Sequence, residues 1–214
     1  MAKTFKSLLG DDVVNTRTLL HEAIPITGTI GSGTYSDNNI KTFSHGMFES
    51  VYDYPYLSSS ANHIYDLTFG ISSTISSSGN TQNSKKLNMY NQMAQVLMGY
   101  DVSGNIRHFD SDGNLETNSE GVMDHCFFMN YSRLLTKDEI KKNSFRLGLW
   151  TSGTVTADGG SRKELTTFGD FNSANQFRTS PAGDYGLLYT SSAHPYATGS
   201  SVGLVFYQAG IAVI

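Results

Sequence analysis

Runs of alternating apolar and polar residues recur along most of this 214-residue sequence. Successive side chains of a β-strand point to opposite faces, so this alternation predicts strands that turn one face towards a core. Aromatic residues also fit a pleated surface, and the chain contains 12 Tyr and 12 Phe. The sequence therefore predicts a mainly β protein built from antiparallel sheets, sandwich- or barrel-like, with an α+β arrangement as the alternative.

One amphipathic helix is predicted near residues 84–99, in the stretch SKKLNMYNQMAQVLMG. Apolar side chains recur there at three- and four-residue spacing, which places them on one helical face: Leu87, Tyr90, Met93, Ala94 and Leu97. Asn83 or Ser84 can cap its first turn, and Gly99 is placed to end it. Short helices are predicted elsewhere, one of them at a capping box formed by Thr136 and Glu139.

The chain divides into two predicted parts. Residues 1–24 are predicted to be an N-terminal arm or first element, and residues 25–214 a single β-rich domain. In the arm, Phe5, Leu8 and Leu9 lie on one side of a short helical pattern, and we predict that they contact a neighbouring subunit. The alternative is that this segment is the first element of the core.

The stretch MDHCFFMNYSRLL predicts a strand that is apolar on both faces. Cys126 and Phe128 lie on one face, and Phe127, Met129 and Tyr131 lie on the other. We expect the core to cover one face and a partner to cover the second. Cys126 is the chain's single cysteine, so no intrachain disulfide can form, and burial among aromatic rings would make its thiol unreactive.

Two similar phrases, YDVSGNI and FDSDGNL, predict successive tight turns in a small β-meander. The second phrase also resembles a calcium loop because it carries Asp110 and Asp112. In such a loop a glycine is sixth and a bidentate glutamate twelfth. Placing Gly113 sixth puts His108 first and Ser119 twelfth, and neither suits its position. We therefore predict that these aspartates shape turns by accepting hydrogen bonds from backbone N–H groups.

The catalytic patterns in the sequence are all incomplete. GSSVG places Ser201 as in a nucleophile elbow, but no acid or histidine follows it. Asp53 and Asp66 remain open as a glycosidase-like carboxylate pair. The six histidines include no pair at metal-ligand spacing. We predict a protein without catalytic residues, cofactor or metal.

Charge and hydropathy limit the classes of partner. The net charge is −4, and Lys and Arg occur in nothing longer than pairs, which argues against nucleic-acid binding. The longest apolar stretch, VGLVFYQAGIAVI, is too short for a membrane helix, and the first residues lack the apolar region of a signal peptide. We expect no nucleic acid, no membrane and no export through the usual secretory route.

Several longer phrases resemble virion structural proteins of contractile-tailed phages, notably cyanophages. These phrases include SVYDYPYLSSSANHIYDLTFGISS, FFMNYSRLLTKDEIKKNSFRL, SPAGDYGLLY and VGLVFYQAGIAV. The resemblance runs along the whole chain, and members of the family extend beyond its last phrase. It implies a homo-oligomeric subunit of the tail or baseplate, bound to other virion proteins and assembled into the virion in the host cytoplasm. The alternatives are a capsid or neck component, or a host-recognition β-domain that binds carbohydrate through residues such as Tyr54 and Tyr56.

Overall fold

The structure is a computed structural model. It describes residues 37–59, 61–75, 81–113, 121–131, 139–155, 161–190 and 201–214. The predicted arm, residues 1–24, lies outside these ranges, and so do its predicted contact residues Phe5, Leu8 and Leu9. Their role as a subunit contact stays a prediction.

Ten strands and one α-helix make up the described fold. The strands are β1 Ile40–Thr42, β2 Phe48–Tyr52, β3 His63–Ile71, β4 His125–Tyr131, β5 Arg146–Val155, β6 Ser161–Gly169, β7 Arg178–Ser180, β8 Gly183–Thr190, β9 Ser201–Phe206 and β10 Ile211–Val213. The helix is α1, Thr81–Leu97, and a short 3₁₀ helix spans Asp37–Asn39. The strands form a single antiparallel sheet in the order β1-β2-β3-β4-β10-β9-β8-β6-β5, with β7 beside the first part of β8. The prediction of a mainly β, antiparallel protein with one longer helix is confirmed.

The middle of the sheet is buried on both faces. Phe128, Leu204, Phe206 and Val213 point to the face that α1 covers. The side chains that alternate with them point to a second cluster that includes Phe145: Met129, Val205 and Ala212. This alternation across β4, β10 and β9 is what a strand with two buried faces requires.

The cover of the second face of β4 is partial: Met129 is buried, and a contribution from a partner stays a prediction. Part of that cover comes from the same chain, because the Phe145 ring packs edge-on against Tyr131 with 5.7 Å between centroids. Phe127, on the same face, remains 49 % exposed. An apolar sequence pattern indicates that a face is covered, but it does not identify the residues that cover it.

Helix α1 confirms the predicted apolar face and the predicted end. Tyr90, Ala94 and Leu97 are buried in the core. Gly99 has a positive φ of 76°, and its N–H donates to the Ala94 carbonyl at 3.0 Å, a helix-ending geometry that glycine adopts without strain. The helix approaches β3 closely at Gly70, where an added Cβ would lie 2.9 Å from the Tyr90 backbone nitrogen.

The predicted helix at Thr136–Glu139 is not borne out where it can be checked. Thr136 lies outside the described residues, and residues 139–142 form a bend and the start of a turn. The N–H of Ile140 donates to the carbonyl of Tyr207 at 2.9 Å. A tertiary hydrogen bond therefore holds this backbone in place of a helical one.

The aspartates of the two turn phrases accept hydrogen bonds from the backbone, as predicted. Asp101 Oδ1 accepts from the N–H groups of Ser103 and Asn105, both at 2.8 Å. Asp110 Oδ1 accepts from the Asp112 N–H at 3.2 Å. The predicted meander is reduced to isolated bridges, Tyr100 with Ile106 and Asp110 with Val122, rather than full strands.

Candidate functional site

Strand β5 is a long edge of the sheet. It pairs with β6 in continuous register from Arg146 to Ser152, and no described strand pairs with its other side. Its ten residues, RLGLWTSGTV, contain no proline and no charge after Arg146. Exposed edge strands usually carry charges or proline because their free N–H and C=O groups otherwise recruit another strand. The described part of β5 has neither protection beyond its first residue.

The opposite edge, β1, is protected in the usual way. It has three residues, and the central one is Lys41, whose ammonium lies 5.0 Å from the centre of the Phe43 ring. A short strand that carries a lysine is a poor template for pairing. The contrast between the two edges makes β5 the candidate assembly site.

A buried carboxylate fixes the start of β5. Asp170 follows β6, and its side chain is 0 % exposed. Its oxygens accept hydrogen bonds from five donors: Asn143 N at 2.7 Å, Phe145 N at 2.9 Å, Arg146 Nη1 at 3.0 Å, Ser173 Oγ at 2.8 Å and Tyr207 Oη at 3.1 Å. These donors come from the turn before β5, from β5 itself, from the turn after β6 and from the turn after β9.

The Asp170 cluster, which consists of Asp170 and these donors, connects the β5–β6 hairpin to the middle of the sheet. Burial raises the pKa of the Tyr207 hydroxyl, which therefore stays protonated and donates to the carboxylate. A buried charge is tolerated only when hydrogen bonds satisfy it, and this carboxylate meets that condition. The candidate edge is thus held by a rigid base.

Sequence reasoning did not identify the Asp170 cluster. The local sequence, FGDF, reads as the end of a strand followed by a turn. An aspartate between apolar residues was a signal, but its partners Phe145 and Tyr207 lie 25 and 37 residues away. No spacing rule connects them.

A second exposed feature is the loop between β2 and β3. Tyr54 is 56 % exposed, Tyr56 37 % and Leu57 87 %. Asp53 and Asn62 close the base of the loop, since Asp53 Oδ1 accepts from the Asn62 N–H at 2.6 Å and Oδ2 from Asn62 Nδ2 at 2.9 Å. The loop therefore presents aromatic side chains on a fixed base.

The two carboxylates considered as a glycosidase pair have separate partners. Partial burial tends to raise the pKa of Asp53, but the hydrogen bonds from Asn62 outweigh it and hold that pKa below its usual value. Asp66 accepts from Ser50 Oγ at 2.5 Å and lies 2.8 Å from His63 Nε2. A general acid at neutral pH needs a raised pKa, so Asp53 does not suit that role.

The surroundings of the two candidate nucleophiles, Ser201 and Cys126, are those of structural residues. Ser201 is the first residue of a strand, whereas a nucleophile elbow leads into a helix. Burial raises the pKa of the Cys126 thiol to about 12, and its Sγ donates to the Met123 carbonyl. In the residues that the structure covers, no three side chains of His, Cys, Asp or Glu come together as a metal site. Among the described helices, none combines the length and apolar character needed to cross a membrane.

The described residues form a mainly β fold with a buried sheet centre and an unprotected edge at β5. Comparisons with protein-family models, with curated protein sequences and with solved structures find no match.

Proposed function

We propose that this chain is a structural subunit of the tail or baseplate of a tailed-phage virion, and that it acts by packing against copies of itself and other virion proteins. The observation that carries the proposal is the unprotected edge of β5. The resemblance of the sequence phrases to phage virion proteins supports the choice of particle. The role needs no catalytic group, and the subunit is assembled into the virion in the host cytoplasm.

Packing takes place by strand addition. The outward N–H and C=O groups of β5 pair with β5 of a second copy, antiparallel about a two-fold axis. The pairing is strongest over the regular part of the edge, from Arg146 to Ser152. Because the Asp170 cluster holds the start of β5, the edge is ordered before the partner arrives, which lowers the entropic cost of association.

Adjacent proline substitutions test this contact with a built-in control. Successive residues of a strand direct their backbone groups to opposite sides, so only one of Thr151 and Ser152 directs its N–H away from β6. We expect the outward one of the variants Thr151→Pro and Ser152→Pro to weaken self-association strongly while the fold is kept. The inward variant removes a hydrogen bond to β6 and lowers stability by about 1–2 kcal/mol. Light scattering over a concentration series and urea denaturation measure the two effects.

Two results would count against the proposal. If the wild-type protein is monomeric at every concentration, or if neither proline variant changes self-association, β5 is not the contact. Antibody labelling of purified phage particles, viewed by electron microscopy, tests the virion assignment separately. Label at the tail or baseplate is expected; label at the neck or capsid selects the alternative position, and unlabelled particles contradict a virion role.

The aromatic loop favours a second candidate function, carbohydrate binding by a host-recognition domain. Exposed tyrosine rings stack on sugar faces, and Tyr54 and Tyr56 are both exposed here. We expect Tyr54→Ala or Tyr56→Ala to abolish binding on a glycan array if this function operates. Tyr100→Ala, at an exposed tyrosine outside the loop, is the matched control. A wild-type protein that binds no glycan would remove this candidate.

A further inference from the structure

A cationic groove lies between the turn that joins β1 to β2 and the first turns of α1. Its volume is about 340 Å³, within the range of small-ligand sites. The side chains that define this lysine groove are His45, Met47, Phe69, Lys85, Lys86 and Met89. They include two ammonium groups and no carboxylate.

The lysine charges lack compensation within the described residues. Neither Lys85 nor Lys86 forms an ion pair there, and the Lys86 ammonium lies 5.7 Å from the centre of the Phe69 ring. The first turn of α1 has no acidic residue that could offset these two positive charges. An anionic occupant would relieve the repulsion between the two adjacent lysines.

His45 adds a directed donor to the same groove. Its Nδ1 accepts a hydrogen bond from the Met47 N–H at 3.1 Å. The proton of the neutral ring therefore resides on Nε2, which is left as a donor. The ring is held in place by stacking on Phe43, with 5.2 Å between centroids and an interplanar angle of 6°.

The apolar side chains that line the groove indicate which chemical groups flank the anionic one in the bound molecule. Met47 is 42 % exposed, and Met89 and Phe69 form the rest of the apolar lining. Methionine adapts to different side chains, and such surfaces suit peptides. A polyanion such as nucleic acid is disfavoured because the chain as a whole carries a charge of −4.

We infer that the lysine groove binds residues 8–14 of a neighbouring copy, the sequence LLGDDVV. Asp11 and Asp12 supply adjacent carboxylates for Lys85 and Lys86, and the flanking leucines and valines supply apolar side chains for Met47, Met89 and Phe69. This inference rests on the proposed role as an assembling subunit, and it names a second contact, separate from β5.

Charge reversal in the full-length chain tests the contact. We expect Lys85→Glu with Lys86→Glu to weaken self-association about tenfold, since two close charge pairs become repulsive. Adding Asp11→Lys and Asp12→Lys to the same chain should restore it. Both positions are exposed on the helix, so the fold is expected to persist. Lys141→Glu, at an exposed lysine outside the groove, is the control.

Cross-linking identifies the partner residues. A carbodiimide joins carboxylates to amines that are in contact, and a mixture of ¹⁴N- and ¹⁵N-labelled protein distinguishes links between copies from links within one. Mixed-isotope peptides that join Asp11 or Asp12 to Lys85 or Lys86 are expected. Absence of these peptides, links only within one copy, or failure of the reversed pairs to restore association would each overturn the inference. The β5 proposal is unaffected, since its proline variants report on a different surface.

Discussion

Asp170→Ala is expected to lower the free energy of unfolding by about 3–5 kcal/mol, the range for removing one partner from a buried charged network. The substitution leaves the N–H groups of Asn143 and Phe145 without their acceptor, and it leaves Arg146 and the Tyr207 hydroxyl without the carboxylate. A buried donor that loses its acceptor incurs its full desolvation penalty. Urea denaturation followed by tryptophan fluorescence measures the change.

Asp170→Asn removes the negative charge of the side chain but keeps its shape. One carboxylate oxygen becomes an NH₂ group, and either orientation of the amide places that group against a backbone N–H of Asn143 or Phe145. We expect a loss of about 2–4 kcal/mol, from one weakened charged hydrogen bond and one unsatisfied donor. Asp184→Asn is the control, because its salt bridge to Lys142 is partly exposed and should be worth about 1 kcal/mol or less. Equal effects of the two Asn variants would contradict the assigned role of Asp170.

Gly203→Val is expected to prevent the native sheet from closing. A Cβ at Gly203 would collide with the carbonyl oxygen of Val213. That oxygen is a backbone atom of the adjacent strand, so it cannot rotate away. Overpacking a core usually costs about 1–3 kcal/mol, and a collision with a central backbone should exceed that range. Circular dichroism and the yield of soluble protein report the loss.

The control for this variant is Thr42→Val. It introduces the same branched side chain on an exposed residue of the edge strand β1. Its stability should stay within about 0.5 kcal/mol of wild type, as for most surface substitutions. A Gly203→Val protein as stable as the Thr42→Val protein would show that β9 and β10 do not pack as described.

The elements that the sequence predicted well are those with dense local patterns. Helix α1 was predictable because its apolar residues fall at helical spacing and Gly99 follows them. In the stretch SFRLGLWTSGTVT, the alternation of Phe145, Leu147 and Leu149 predicts a strand, and the structure has β5 there. Its position at the edge of the sheet was not predictable, because strand order depends on pairings between residues far apart in the chain.

The difference between local patterns and contacts of distant residues also explains what the sequence predicted wrongly or missed. The capping-box pattern at Thr136–Glu139 is a local signal, whereas the Ile140 backbone is held by a distant carbonyl of Tyr207. The Asp170 cluster likewise joins several separate turns and strands, which no local rule relates. Residue spacing predicted which segments are strands; it could not predict which segments meet.

The position of β10 affects how the chain folds as it is synthesised. Strands β1 to β4 form one block and β5 to β9 another, and among the described strands β10 connects the two in the sheet by pairing with β4 on one side and β9 on the other. Its residues, 211–213, leave the ribosome after both blocks. Until then, β4 and β9 lack their common neighbour. A nascent chain therefore exposes two unpaired strand edges, in addition to β5, that are prone to aggregation and that the folded molecule buries. Association with other copies of the chain is therefore best delayed until β10 has been synthesised.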